Sequence, residues 1–270
     1  MSKPKSDYVI QTVTNALRLL EAFGRDEELG VTELSRRLSL HKNNVFRLLA
    51  TLEEKGYVKQ CADNERYRLD VRCLELGHSF TRNQSLLRRA RPVLEALVHE
   101  LGETAHLAVL RDYEVVHLDG EAPDHLLISG LRVGRRLPAH CTALGKVLLG
   151  CASGAARENF DREMAVRGPL KGFTPATLVD LHKFFDALRA VASAGFALDV
   201  EECEEGLSCA AAPVWGEAGE LLAALSVSGP STRFAAETLH RKIVPSVVAA
   251  AEQLSRKLGY SPDFAVVSAH

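Results

Sequence analysis

The chain has 270 residues, of which 46% are hydrophobic, and its formal net charge is −2. That length favours two domains with separate cores, and the near-neutral charge requires any nucleic-acid-binding surface to be local. The N-terminal sequence MSKPKSDYV has no apolar core for a signal peptide. No apolar run reaches the roughly 18 residues of a membrane span, so we predict a cytoplasmic protein without a membrane partner.

The cysteines give no evidence for a disulfide framework or a structural zinc site. Six are present, and no two of them form a CxxC pair. In a chain without an export signal, most of them are expected to be reduced and buried. We therefore predict no metal site and no cofactor.

The N-terminal part of the chain has the pattern of a helix-turn-helix. Apolar residues at helical spacing predict a first helix over residues 9–23. Two further short helices, over about residues 32–51, each bury one face and are separated by a break at Ser39-Leu40. Their apolar positions are Leu34 and Leu38 in the first, and Val45, Leu48, Leu49 and Leu52 in the second. Short strands at residues 57–60 and 66–70 then predict a wing.

The second of these helices keeps polar side chains off its apolar stripe. Lys42, Asn43, Asn44 and Arg47 lie near its N-terminal end, which is the end of a recognition helix that meets base edges. Asn suits adenine and Arg suits guanine, and the wing residues Arg66 and Arg68 are expected to contact phosphates or the minor groove. The alternative is an ordinary pair of amphipathic helices. Residues 31–60 carry six Lys or Arg against three Glu, which is a modest basic footprint.

Domain boundaries follow from the change in pattern along the chain. We predict a DNA-binding domain over residues 7–71, a linker helix region over 72–91, a second domain over 92–260 and a loose tail over 261–270. The second domain mixes helices, at 93–101, 144–150, 177–194 and 233–258, with strands at 104–111, 114–119, 126–129, 196–199, 208–214 and 221–228. Because strands come in sequence-adjacent pairs, the sheet is expected to be antiparallel.

A candidate ligand pocket borders the last strand. Period-two alternation places Ser226 and Ser228 on one face and Ala223, Leu225 and Val227 on the other. Asp199 and Cys209 lie on neighbouring segments, and the helix entry at residues 141–144 can add backbone amides. The residues alone fit an explanation without a ligand equally well. The serines would then lie on a solvent-facing edge, Cys209 would be a buried structural cysteine, and Asp199 would belong to a solvated acidic loop.

Four ordered blocks give the chain a resemblance to the IclR (isocitrate-lyase-regulator) family of bacterial transcription factors. They are VTNALRLLEAF, TELSRRLSL with FRLLATLEEKGYV, LPAHCTALGKVLLG, and GFALDVEECEEGLSCAAAPV with GELLAALSVSGP. The resemblance implies an α+β chain with an N-terminal winged helix-turn-helix, a linker helix and a C-terminal GAF-like effector domain of antiparallel sheet and flanking helices. It also implies a homodimer or homotetramer on a pseudo-palindromic double-stranded DNA operator.

The resemblance further implies a small carboxylic or aromatic acid as effector. Its contacts would fall on Asp199, Cys209, Ser226 and Ser228, with the Ala143-Leu144 step as a backbone wall. The chain departs from the family in having Leu144 where Gly or Ala is common. It also has His41-Lys42-Asn43-Asn44 where Pro and Ser or Thr are common, so neither effector nor operator can be carried over.

Two other functions fit the same residues. The first is an enzyme with Cys209 as nucleophile and His140 or His106 as base, which the acidic neighbours of Cys209 disfavour because they raise the pKa of a thiol. The second is a regulator that senses redox state or metal through Cys203, Cys209 and Cys141 with His140. No spacing among these residues requires a metal.

Overall fold

A computed structural model describes residues 8–24, 26–124, 130–152, 158–160, 162 and 169–261. The chain divides into two compact units, Met1–Gln84 and Ser85–His270. The predicted strand at 126–129 and most of the predicted tail lie outside the described residues. Among the described residues, no helix is both long enough and apolar enough to cross a membrane.

The first unit is a winged helix-turn-helix, called the head below. Its elements are α1 (Gln11–Glu21), which runs into a 3-10 turn at Ala22–Gly24, α2 (Val31–Leu38), α3 (Lys42–Glu54), β1 (Val58–Gln60), β2 (Tyr67–Leu69) and α4 (Val71–Asn83). Buried leucines of α1, α2 and α3 form one core with Val58 and Tyr67 of the wing. Ser39 ends α2 in the left-handed conformation, which makes the sharp turn between α2 and α3.

The second unit is built on a six-stranded sheet in which every neighbouring pair is antiparallel. Its elements are α5 (Ser85–Leu101), β3 (Thr104–Arg111), β4 (Glu114–Glu121), β5 (Arg136–Pro138), α6 (Ala143–Gly150), α7 (Leu181–Ala194), β6 (Ala197–Val200), β7 (Leu207–Trp215), β8 (Leu221–Pro230), α8 (Ala236–Thr238) and α9 (Val244–Lys257). The strand order is β5-β4-β3-β8-β7-β6. The predicted α+β fold is confirmed.

The sheet is covered on both faces, so the second unit has two cores. One core packs α5 and α9 against residues such as Leu107, Leu225 and Val227. The other packs α6 and α7 against Ala108, Ala211 and Ala224. Adjacent residues of β8 therefore enter different cores, as period-two alternation predicts.

Some element boundaries differ from the prediction for identifiable reasons. α5 starts at Ser85 and continues through Pro92, although proline removes one helical hydrogen bond, because six of its side chains are buried on one face. The helix predicted from 177 starts at Leu181, since Asp180 caps it by accepting a hydrogen bond from the Lys183 amide. Thr177 instead donates its hydroxyl to the Glu202 carbonyl at 2.6 Å.

The C-terminal helix and one edge strand also differ. The helix predicted over 233–258 begins at Ala236 and contains a π-helical turn at Leu239–Ile243 before α9. β5 was not predicted, because a three-residue strand that ends in proline has too little alternation to be recognised.

Candidate functional site

The exposed surface of α3 carries the residues predicted to read DNA. Lys42, Asn43 and Asn44 form its first turn and Arg47 follows one turn later, and all four are exposed. Val45 and Leu49, which point to the opposite side of the helix, are fully buried against the rest of the head. The recognition residues thus project outward from a compact support.

The wing carries two like charges, of which Arg68 was predicted to contact DNA and Lys59 was not. Arg68 of β2 lies directly opposite Lys59 of β1 in the antiparallel register, and both are exposed. Among the described residues of the head, neither forms an ion pair with an acidic side chain. Directly opposed like charges repel, and a phosphate placed between them would relieve the repulsion. The register of the hairpin could have identified Lys59.

Arg66, which was predicted to contact DNA, makes hydrogen bonds within the head. Its guanidinium Nη2 donates to the Glu28 carbonyl at 2.9 Å and to the Glu33 carboxylate at 2.9 Å. Its neighbour Asn64 also bonds Glu28, at 2.7 Å. These contacts fasten the wing to α2 and to the segment before it.

In the second unit, strand register places polar side chains in two rows on the face covered by α6. Asp199, Cys209 and Ser228 are successive partners across β6, β7 and β8. In the adjacent row, Ser226 of β8 is the partner of His106 on β3. Residues far apart in sequence thereby converge on one patch of the sheet.

These rows form the floor of a cavity, called the effector cavity below. Its wall is the start of α6, where Thr142 caps the helix by accepting a hydrogen bond from the Gly145 amide at 3.1 Å. All six residues predicted to contact an effector line this one cavity, namely Ala143, Leu144, Asp199, Cys209, Ser226 and Ser228. The cavity volume is about 30 Å³. At about 10–15 Å³ per water, it has room for about two or three water molecules.

The lining residues that were not predicted as effector contacts include two histidines and one arginine, namely His106, His117 and Arg132. His106 and His117 are 2% and 3% exposed, with ring centroids 5.0 Å apart. Burial lowers the pKa of His106 to about 3 and that of His117 to about 4, so both imidazoles are neutral at physiological pH. Their positions on β3 and β4 depend on tertiary register, and no local sequence signal marks them.

Asp199 is the carboxylate of the effector cavity. It is 2% exposed, and burial raises its pKa to about 7. Its Oδ1 accepts a hydrogen bond from the Glu202 amide at 2.8 Å. Near neutral pH this carboxyl is therefore divided between a hydrogen-bond donor and an anion.

A buried ion pair joins the loop after β6 to α6. Lys146 of α6 donates to Glu202 at 2.5 Å, and their side chains are 6% and 12% exposed. The hydroxyl of Thr174 donates to the Glu201 carbonyl at 2.6 Å. Lys146 was also missed, although a single charged residue within the apolar helix ALGKVLLG was a usable signal.

The geometry gives little support to a Cys209 nucleophile or to a redox or metal sensor built from cysteines. Burial raises the pKa of Cys209 well above that of a free thiol, which disfavours the thiolate that a nucleophile requires. His140 lines a different depression, with Tyr113 and Phe160. Within the described ranges, no group of three or more His, Cys, Asp or Glu residues could hold a metal ion. The Cys141 thiol donates a hydrogen bond to the Pro138 carbonyl at 3.8 Å, and Cys141 and Cys203 are both free thiols.

A winged helix-turn-helix followed by an α+β domain with a small cavity beside its sheet is the architecture of a class of DNA-binding transcriptional regulators. Comparison with known families places the chain within that class. Residues 12–61 match the IclR helix-turn-helix domain, and residues 78–256 match the bacterial transcriptional regulator IclR C-terminal domain. The chain belongs to the IclR family of transcriptional regulators, which confirms the resemblance.

Similarity to individual members extends over almost the entire chain. The HTH-type transcriptional regulator XynR of Escherichia coli is 34% identical over 93% of this chain and 98% of its own. The crystal structure of an IclR-type regulator from Alicyclobacillus acidocaldarius superposes with a TM-score of 0.82 at 25% identity, covering 92% of this chain and 99% of that one. An IclR homologue from Microbacterium hydrocarbonoxydans, solved in complex with 4-hydroxybenzoate, superposes with a TM-score of 0.78 at 26% identity. That match covers 93% of this chain and 100% of the homologue.

Proposed function

We propose that a small organic acid binds in the effector cavity and changes the affinity of the head for its operator. The observation that supports this most directly is the convergence of six expected effector residues, from four separate segments, on one small cavity. The solved relative that holds 4-hydroxybenzoate is a further reason to expect an acid. The acid can shift the operator affinity only by binding two conformations of the chain unequally.

For the head, we propose that Asn43, Asn44 and Arg47 read bases, while Lys42, Lys59 and Arg68 hold phosphates. The exposure of these side chains on one recognition helix and one wing supports this division. An Asn or Arg bidentate contact discriminates between bases by about 1–3 kcal/mol, which corresponds to roughly a 10- to 100-fold change in specific affinity. Phosphate contacts contribute equally to every DNA sequence.

Fluorescence anisotropy with DNA from upstream of the chain's own gene tests the head. Arg47→Ala is expected to weaken specific binding by roughly 10- to 100-fold with little change on unrelated DNA. Lys55→Ala is the matched control, because Lys55 is an exposed cation at the opposite end of α3 that pairs with Glu54. Equal specific affinity for Arg47→Ala and the wild type would remove Arg47 from the reading surface.

We also propose a homodimer formed through the head. α4 carries four apolar side chains that are each at least 50% exposed, Val71, Leu74, Leu76 and Phe80, and none of its described side chains is buried. α1 and the residues before it expose Ile10, Val13 and Leu17 at helical spacing. Apolar surfaces of this kind mark interfaces, and a second copy would supply the second recognition helix for a pseudo-palindromic site.

Light scattering after size-exclusion chromatography tests the assembly. A wild-type mass of two or four chains is expected, and Leu74→Glu should lower it, since a carboxylate would enter the apolar surface of α4. Ser79→Glu, at an exposed polar position of the same helix, should leave the mass unchanged. A monomeric wild-type chain that still binds its operator specifically would contradict the dimer.

A further inference from the structure

The chemistry of the effector cavity narrows the class of acid, and this inference rests on the effector function proposed above. The polar groups that sequence analysis missed lie on the β3–β4 side of the cavity and in the segment before β5. They comprise one cation, Arg132, and two neutral imidazoles, His106 and His117. A ligand that fills the cavity has to satisfy these groups as well as the serines.

Arg132 is the one basic side chain, among the described residues, that lines the effector cavity. Its side chain is 15% exposed, and its Nη2 donates to Glu204 at 2.8 Å. Glu204 is 55% exposed, so this ion pair opens to solvent on the carboxylate side. A guanidinium has five N–H donors and can bind a second carboxylate beside the first.

The charge of Arg132 acts on the interior of the cavity. It lowers the pKa of both His106 and His117 and opposes the burial effect on Cys209. Lys146, which also acts on Cys209, is buried in its ion pair with Glu202, and Arg135, which acts on His117, does not line the cavity. Arg132 is therefore the group placed to attract an anion into the cavity.

His106 has an unsatisfied hydrogen-bonding atom. Its Nε2 is buried and has no hydrogen-bond partner among the described residues. A buried polar atom without a partner destabilises the folded chain, and a ligand that bonds it recovers that free energy. A hydroxyl suits this nitrogen in either tautomer, because it can both donate and accept.

The packing around His106 restricts the position of its ring. Gly120 is the register partner of His106 on β4, and a Cβ added at Gly120 would lie 2.9 Å from the His106 ring. The neighbouring His117 ring has its Nδ1 3.3 Å from the Arg135 carbonyl, so that nitrogen carries the proton and Nε2 is an acceptor. Both rings thus have fixed neighbours.

We propose that the effector cavity selects a 2-hydroxy carboxylate of about three carbon atoms, with its carboxylate on Arg132 and its hydroxyl on His106. A small acid is favoured because the volume of about 30 Å³ holds only about two or three water molecules, so even a three-carbon acid has to widen the cavity, although less than an aromatic ring would. A site that hydrogen-bonds a ligand hydroxyl rejects the analogue that lacks it far more strongly than a hydrophobic pocket rejects a missing methylene.

Calorimetric titration of the full chain with three matched probes tests this selection. The probes are 2-hydroxypropanoate in both enantiomers, propanoate, which lacks the hydroxyl, and propane-1,2-diol, which lacks the carboxylate. The expected result is that one enantiomer of 2-hydroxypropanoate binds at least tenfold more tightly than propanoate, and that the diol does not bind.

Three substitutions assign the contacts. Arg132→Gln should weaken 2-hydroxypropanoate at least tenfold, and Arg132→Lys should restore part of the affinity because it keeps a cation. His106→Leu should remove the preference over propanoate without abolishing propanoate binding. Arg136→Gln is the matched control, since this exposed arginine pairs with Glu114 and does not line the cavity.

The outcomes separate this inference from the function on which it rests. If propanoate or 4-hydroxybenzoate binds the wild type as tightly as 2-hydroxypropanoate, the hydroxy-acid selection is wrong and the effector site stands. If Arg132→Gln and Arg136→Gln bind 2-hydroxypropanoate equally, the anchoring role of Arg132 is wrong. If no acid binds and operator affinity responds to none, the proposed effector function is wrong as well.

Discussion

The buried carboxyl of Asp199 gives the second unit a pH-dependent stability that one substitution should remove. Its pKa is about 7 in the folded chain because of burial, against 3.8 for an unperturbed aspartate. Between these values the folded chain binds the proton more tightly than the unfolded chain. The contribution of Asp199 to stability therefore falls as pH rises through this window and levels off above pH 7.

The magnitude follows from the difference in pKa. Each unit corresponds to about 1.4 kcal/mol, so wild-type stability should fall by about 2 kcal/mol between pH 5 and pH 7, where Asp199 is still half protonated, and by nearly 3 kcal/mol between pH 5 and pH 8 from this group alone. Asp199→Asn removes the titration and keeps an oxygen that can accept the hydrogen bond from the Glu202 amide. Its stability relative to the wild type should rise by about 3 kcal/mol from pH 5 to pH 8. A constant cost for the new NH₂ group cancels from this comparison.

The single tryptophan makes the measurement specific to this unit. Trp215 lies in β7, so urea unfolding followed by its fluorescence reports on the C-terminal unit. Glu205→Gln, at an exposed carboxylate of the loop after β6, is the control and should leave the pH dependence as in the wild type. A stability difference between Asp199→Asn and the wild type that stays constant from pH 5 to pH 8 would refute a raised pKa for Asp199.

Three further predictions concern the supports of the two sites. Lys146→Met should destabilise the C-terminal unit by about 3–5 kcal/mol in urea unfolding, because it leaves Glu202 charged and buried. Adding Glu202→Leu should restore most of the lost stability. A double variant that is no more stable than Lys146→Met would contradict this. Gly145→Ala should cost about 3 kcal/mol or more by the same assay, since its Cβ would lie 2.1 Å from the Ala139 carbonyl oxygen, and a neutral effect would refute the close packing. Arg68→Ala should reduce the dependence of log K on log salt by about 1, whereas Arg66→Ala should leave it unchanged. Equal salt slopes for the two variants would contradict the separate roles of these arginines.

Local patterns identified the elements with strong periodicity. Alternation along β8 was sufficient to separate Leu225 and Val227 from Ser226 and Ser228, because each face of the strand meets a different core. The two helices of the head were equally clear, since each buries one stripe. Boundaries were less accurate where tertiary contacts decide them, as at Pro92, which burial of α5 holds within the helix.

In the effector cavity, the sequence predicted only those lining residues that the family resemblance implies. His106 and Ser226 meet as register partners across β3 and β8, and no local pattern signals a contact between segments more than 100 residues apart. Arg132 lies in a short connecting segment without periodicity. The hydrogen bonds of Arg66 to Glu28 and Glu33 are likewise set by tertiary packing, and no local pattern on the wing signals them.

The coupling between the effector cavity and the head is tested most directly by titrating the wild-type chain onto its own upstream DNA, at fixed salt, with and without saturating acid. The acid to use is whichever gives the largest rise in melting temperature, since a ligand that binds only the folded chain stabilises it by mass action. We predict a change of at least fivefold in the operator dissociation constant and an equal change in acid affinity when DNA is bound, as linkage requires. The same dissociation constant in both titrations, with the acid shown to be bound, would contradict the account.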